Sequence, residues 1–423
     1  MVLKKLFSMF KSKGRGIINQ TLNDFHIARK YSNQHRRNDA FKLQRALVVT
    51  KFSRYEFEQL RHSNLSKDQL EEKLRNRGTD YDTLLALHNV HKDFEKKIAK
   101  SFQNVGCEVK LANRTSLTKE AMEWADVLVP VGGDGTFLLA AGRASPLFAK
   151  SQQKTPIVGF NSDPKHSEGR LMLPKRFSEF PEDAVSRIKN GDFRWMHRSR
   201  IRTTILGSNG NMPESTDLHS QRVSKMEQIN TVPERLSKEF AKKYNAKMKR
   251  VLPYLALNEV FIGETLSARV SHLNMVIDHS DVINRTKCSG LCVSTGSGST
   301  SWHTSINRIT KRHVEDVVKI LPGNGNLGNI DAEQIADEYN KNLLFLADDP
   351  RLCYSIREQI CVGVWPIPKN FPCRNLVKNL FVQSKCIDAS LVIDGSISYP
   401  FNDGAKALLE VHPEDALLTI ALD

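Results

Sequence analysis

Val127-Leu128-Val129-Pro130-Val131-Gly132-Gly133-Asp134-Gly135-Thr136-Phe137-Leu138-Leu139-Ala140-Ala141 joins a valine-rich apolar run to a glycine-rich turn and then to a small-residue apolar segment with helical spacing. The pattern predicts a buried strand, a tight loop and a helix start. Glycines let the loop backbone take positive φ and approach a ligand closely, and the open amides of a helix N-terminus favour an anion. Phosphate is the natural guest. A carboxylate is out of place there unless Asp134 binds a metal or takes a proton. The arrangement suits phosphoryl transfer, with Asp134 receiving the proton of an attacking hydroxyl while the loop cradles phosphates. A plain βα turn in which Asp134 merely caps the helix is the competing reading.

Working outward, Ala46–Thr50, Cys107–Leu111 and Pro156–Asn161 read as further strands, separated by helical patterns around Leu84–Phe102 and Lys119–Trp124. Strands alternating with helices predict a parallel α/β sheet over 46–193, whose ligands bind at the carboxyl ends of the strands. Asp134 and Asn161 both fall at such ends. After Phe193 the texture changes to short strands with turns, at Arg200–Ile205, Leu255–Ile262 and Ser390–Gly395. A second, β-rich domain over 194–400 is the expectation. A polar stretch at 208–250 reads as a partly disordered or loosely helical insertion, and 306–349 as a mostly helical one.

Length and composition agree with two domains: 423 residues, 40% of them hydrophobic. Lys and Arg number 62 against 47 Asp and Glu, a net charge of +15. Residues 1–31 hold seven of those cations against Asp24 alone, and +9 remains without them. That remainder suits anionic nucleotides or a solvated basic surface, and without interleaved aromatics it is weak evidence for nucleic acid. Leu3, Leu6, Phe7 and Phe10 share one face of a basic, almost acid-free N-terminus, the composition of a mitochondrial transit peptide over 1–31. Seven scattered cysteines without a Cys-x-x-Cys pair exclude a disulfide framework or structural zinc. No apolar run approaches a membrane span.

The chain has no Gly-Lys dipeptide, which excludes the P-loop. Gly323-Asn324-Gly325-Asn326-Leu327-Gly328 fits a dinucleotide fingerprint in letters, but it follows Pro322 rather than a strand, so it reads as a loop. His88 and His91 have metal-like spacing without partners and read as surface histidines; no protein metal ligand is expected. A second glycine-rich run, Val293-Ser294-Thr295-Gly296-Ser297-Gly298-Ser299-Thr300-Ser301-Trp302, offers amides, hydroxyls and a flat aromatic face to a ribose, phosphates and a base. A Gly/Ser turn with Trp302 in the core is the alternative.

Gly132-Gly133-Asp134-Gly135-Thr136, then Asn258-Glu259 at the end of a strand, then Val293 to Trp302, in that order, resemble the NAD kinases. The resemblance runs from about Ala46 to the C-terminus, broken by the two insertions. It implies an α/β N-terminal domain, a β-rich C-terminal domain and a final segment, 401–423, returning to the first. It also implies ATP-dependent phosphorylation of the adenosine ribose 2′-hydroxyl of NAD, with Mg²⁺ or another divalent cation, by at least a homodimer. Asp134 matches the family's catalytic aspartate. Gly133, Gly135, Thr136 and Asn161 match nucleotide-binding positions, Asn258 and Glu259 the pair contacting the dinucleotide, and Ser297, Thr300, Ser301, Trp302 and Ser305 the pocket lining. Ser289 stands where most members have aspartate, Gly296-Ser297 where they have Pro-Thr, and Trp302 where they have tyrosine. These departures look like the divergent mitochondrial branch of the family, which agrees with the N-terminus and implies the matrix. A lipid kinase of the diacylglycerol or sphingosine type, and a catalytically silent NAD-binding regulator, are the alternatives.

Overall fold

The computed structural model describes residues 41–148, 154–207, 213–219, 222–223, 233–320, 331–361 and 371–423. The 1–31 stretch and the 323–328 glycine run lie outside the described residues.

Val127–Gly132 is a fully buried strand and Asp134–Phe148 a helix, with only Gly133 between them. Alternate residues of the strand serve two cores. Val127, Val129 and Val131 pack with Val48, Phe102 and Phe160 on one face, and Leu128 with Leu47, Phe137 and Ala140 on the other. Burial on both faces is why these strands read as continuous apolar runs. The sheet is parallel, in the order Glu108–Ala112, Arg45–Thr50, Val127–Gly132, Phe160–Asn161. The last strand is shorter than its apolar run, and Ile157 instead forms separate bridges to Leu128 and Thr419.

Helix Tyr81–Asn104, capped by the Asp80 side chain, buries His91 and Glu95 and packs Ile98 and Phe102 against this sheet, while Leu84 joins Tyr55, Leu70, Leu74 and Tyr81 in a separate cluster. His91 is therefore a correction to the surface reading. It is 2% exposed, with Nε2 3.2 Å from the Lys51 carbonyl. Burial brings its pKa down to about 4, so the ring is neutral. Among the described residues no three His, Cys, Asp or Glu side chains gather as a metal site.

Among the described residues, the remainder is an antiparallel sandwich of a seven-stranded and an eight-stranded sheet, with helices Lys311–Lys319 and Ala332–Lys341 in the 306–349 stretch. Ile201, Leu273, Leu380 and Leu409 from the first interdigitate with Val260, Leu291, Val293 and Leu391 from the second. Each such side chain removed from water stabilises by roughly 1.5–3 kcal/mol. Parts of the polar stretch at 208–250 are among the described residues. Helix Lys238–Tyr244 is capped by Ser237, and Met248–Val251 joins the seven-stranded sheet beside Ile201–Gly207. Tyr244 and Ala246 anchor it in a small core with Leu206, Val276 and Phe381.

The chain crosses between lobes near Arg198–Ile201 and returns after Val411. Lys406–Val411 stays in the seven-stranded sheet, whereas Leu417–Ala421 pairs with Arg194–Arg198 and sends Ile420 and Leu422 into the first core. Arg200 pins the two crossings together. Its Nε donates to the Asp415 carbonyl at 2.6 Å and its Nη1 to Ser145 Oγ at 2.9 Å. No helix of the described residues is long and apolar enough to cross a membrane.

Candidate active site

Asp134 is the first residue of its helix, half-buried where the strand ends. Its carboxylate is held from outside that helix: Oδ1 accepts the Leu171 amide at 2.8 Å and Oδ2 the Arg170 amide at 3.0 Å. Two backbone donors fix the carboxylate's orientation and leave a further lone pair on each oxygen for an incoming hydroxyl. The turn that presents those amides needs Gly169, which has φ +62° and lies against the Asn161 side chain. Asn161 in turn organises the loop, its Nδ2 donating to the Ser167 carbonyl at 2.9 Å and its Oδ1 accepting the Asp163 amide at 3.1 Å.

Gly133, Gly135, Thr136 and Asn161 line a cavity of about 600 Å³ between the lobes. Its opposite wall is the Asp394-Gly395-Ser396 turn of the sandwich; Lys51 and Arg114 add positive charge, and His219, whose pKa is lowered by burial and then by Arg114, adds a neutral imidazole. These three side chains were not legible in the sequence. They come from a strand end, a loop and the polar insertion, and only the fold brings them to one helix N-terminus. The insertion is held there by Asp217, which is ion-paired with Arg143 and accepts the His219 amide at 2.9 Å.

Asp394, in a left-handed conformation at φ +47°, accepts the amides of Leu257, Asn258 and Glu259 at 2.7, 2.8 and 3.1 Å. A side chain thus takes the bonds that a neighbouring strand would otherwise make. The Leu255–Ile262 run therefore becomes a strand only at Glu259, and the Asn258-Glu259 pair stands at the beginning of strand Glu259–Glu264, not at the end of one. Burial lifts the Asp394 carboxyl to about 6, opposed by the three amides. Burial and then the Asp394 charge lift Glu259 to about 8, so Glu259 is a neutral acid at pH 7. Glu259 Oε2, Asn258 Oδ1 and Ser162 Oγ are buried without a hydrogen-bond partner. Each such orphan costs on the order of 1–3 kcal/mol, which a polar ligand would recover.

The second glycine-rich run forms a 3-10 turn at Ser297–Thr300 and a short helix at Trp302–Asn307. Thr295 ties it to the pair, its Oγ1 donating to the Leu257 carbonyl and accepting the Gly298 amide at 3.1 Å. Gly298 is obligatory, because a Cβ there would collide with the backbone of Asn258. Thr300 and Ser305 turn their hydroxyls back to carbonyls of the same run, at 3.3 Å each, and Ser301 bonds Glu259. Trp302 is 46% exposed, edge-on to Phe261 with ring centroids 4.9 Å apart. With Ser305 it lines a separate cavity of about 410 Å³. The structure thus gathers Gly133, Gly135, Thr136 and Asn161 at one cavity with Asp134 between two of its lining glycines, sets Asn258, Glu259 and Ser301 behind its Asp394 wall, and places Trp302 and Ser305 at a neighbouring one. Ser297 is joined to the first lobe by Arg198, whose Nη1 donates to Ser297 Oγ at 3.2 Å.

No family model matches the chain. It is 38% identical over 396 residues to NAD kinase 2, mitochondrial, of Homo sapiens, covering 92% of this chain and 86% of the human protein. To the protein of the same name in Xenopus tropicalis it is 35% identical over 407 residues, covering 91% and 92%. Among solved structures, yeast NADH kinase complexed with NADH superposes with a TM-score of 0.50 at 13% identity, covering 90% of this chain and 84% of that one. The structural likeness is one of fold.

Proposed function

The chain belongs to the NAD kinase family, and from that premise we propose that it transfers the γ-phosphoryl group of ATP to the adenosine ribose 2′-hydroxyl of NAD in mitochondria, with Asp134 as the base. One observation carries the residue assignment: the Asp134 carboxylate is oriented by two backbone amides at the N-terminus of its helix, beside a cationic cavity between the lobes.

A ribose hydroxyl is a poor nucleophile at neutral pH, so it needs a carboxylate within hydrogen-bond reach. The 2′-oxygen attacks the γ-phosphorus, its proton passes to Asp134, the bond from the γ-phosphorus to the β–γ bridging oxygen breaks, and ADP leaves. The Gly135 amide at the helix start, with the Lys51 and Arg114 charges and the His219 ring, suits the donor's phosphates. Asn258, Glu259 and Ser301 suit the dinucleotide, Glu259 donating its acid proton to a ligand oxygen and Asn258 Oδ1 accepting from a ligand hydroxyl or amine. Ser297, Thr300, Trp302 and Ser305 extend that surface along the second run. The described residues hold no group of three His, Cys, Asp or Glu side chains that fits a protein-held metal. A divalent cation enters as part of the Mg–ATP substrate.

Residues 1–31 we assign as the targeting segment and the working form as a homodimer. Both rest on the basic amphipathic N-terminus and the family resemblance; mass analysis of the mitochondrial form and sedimentation of the purified chain test them. The names of the relatives favour a dinucleotide acceptor over a lipid. Parallel assays of the full chain with NAD and with diacylglycerol or sphingosine, using labelled ATP, test that choice. Label in lipid and none in NADP would overturn it.

A further inference from the structure

We propose that Arg198, at the crossover between the lobes, contacts the phosphoryl group in flight and supplies the positive charge that its transfer needs. The inference deepens the kinase reading and rests on it. Arg198 closes strand Arg194–Arg198, where the chain leaves the first lobe for the sandwich. From there its guanidinium reaches the second motif, where Nη1 donates to Ser297 Oγ at 3.2 Å, and Asp134 is the carboxylate whose charge acts on it. Its Nε is buried without a partner.

Arg200, two residues on, shows what a structural arginine looks like here. It is 1% exposed, and its Nε and Nη1 are filled by the Asp415 carbonyl and Ser145 Oγ. Arg198 holds no such pair of bonds across the lobes. A desolvated guanidinium with an unused N–H between the base and the second glycine-rich run is a site awaiting an anion. Burial lowers its pKa and Asp134 partly offsets this, yet a guanidinium stays charged at neutral pH. Its planar fork matches two oxygens of a phosphoryl group, where charge is spread during transfer. Arg198 neither gives nor takes a proton. The 2′-hydroxyl proton goes to Asp134, and the electron pair of the breaking P–O bond leaves with ADP.

The test is steady-state NADP formation by the full chain and by Arg198→Ala, Arg198→Lys and Ser297→Ala variants, with NAD and Mg–ATP varied in turn. Arg198→Ala should lower kcat on the order of 10³-fold, the effect of removing a phosphoryl-directed arginine, with KM for NAD within about threefold of the parent. Added guanidinium ion should restore part of the lost kcat, which a merely structural role would not allow. Arg198→Lys should fall between, and Ser297→Ala, which removes both the tether and a hydroxyl of the dinucleotide surface, should raise KM for NAD while lowering kcat far less than Arg198→Ala. Arg198→Ala with kcat within about threefold of the parent, or with its loss confined to KM or to the folded fraction and no guanidinium rescue, overturns the inference. A parent chain inert towards NAD and Mg–ATP would instead overturn the kinase reading itself.

Discussion

The Asp394 carboxylate accepts the Glu259 amide at 3.1 Å while its charge helps hold the Glu259 side chain in the acid form. Asp394 therefore sets both where the strand begins and which form of Glu259 a ligand meets. The arrangement has a cost in stability that depends on pH. Glu259 moves from an ordinary 4.5 to about 8, so across that window the folded chain keeps a proton that the unfolded chain has released. Stability falls as pH rises through the window and levels off above it. Asp394, lifted from 3.8 to about 6, acts in the same direction. Glu259→Gln cannot ionise and should flatten the decline between pH 5 and pH 8 by on the order of 1–3 kcal/mol. Denaturant unfolding at pH 5, 6.5 and 8 checks it; parallel curves for parent and variant would contradict it.

Asp134→Asn keeps one acceptor oxygen but turns an NH₂ group towards either the Arg170 or the Leu171 amide. Losing one of two bonds to a half-buried group costs about 1 kcal/mol. Turnover should fall far more, on the order of 10²- to 10⁴-fold, the usual contribution of a general base. A folded variant with the parent's kcat would remove Asp134 from that role.

Gly298→Ala tests the contact between the second run and the Asn258-Glu259 pair. An added methyl cannot fit against the Asn258 backbone, so one chain must move. Overpacking of this kind costs about 1–3 kcal/mol, and the displaced pair should raise KM for NAD at least about tenfold (~1.4 kcal/mol of binding). Unchanged KM would show that Asn258 and Glu259 do not hold the dinucleotide.

Trp302→Ala removes a half-exposed ring whose main aromatic neighbour is Phe261. Thermal stability should change little, whereas KM for NAD should rise by roughly 5- to 30-fold, equivalent to the loss of about 1–2 kcal/mol of ring contact. Quenching of Trp302 fluorescence by NAD gives a second reading. A variant that melts early but keeps its KM would make Trp302 a packing residue.

The centre of the fold could be read from local pattern. Val127–Gly132 and Asp134–Phe148 follow from valine content, glycine spacing and a run of small residues, all of which act within one strand–loop–helix unit. Features set by distant partners could not be read that way. Leu257 and Asn258 look like strand residues, and only Asp394, more than 130 residues later, takes their amides away. His91 lies seven residues beyond Leu84 and seven before Ile98 on one helical face, a signal that could have placed it inside; metal-like spacing with His88 drew attention from it. Lys51, Arg114 and His219 carry no local signature, because a lone polar side chain in a strand end or loop is usually a solvated one. Only tertiary convergence brings them to one cavity.

The central claim is tested most directly by incubating the purified full-length chain with NAD and Mg–ATP and following NADP through an NADP-specific dehydrogenase. The account predicts ATP-dependent NADP formation, with one ADP released per NADP and the rate abolished to within the general-base factor by Asp134→Asn. NAD bound by the folded chain with no NADP formed, across several divalent metals and phosphoryl donors, would contradict it.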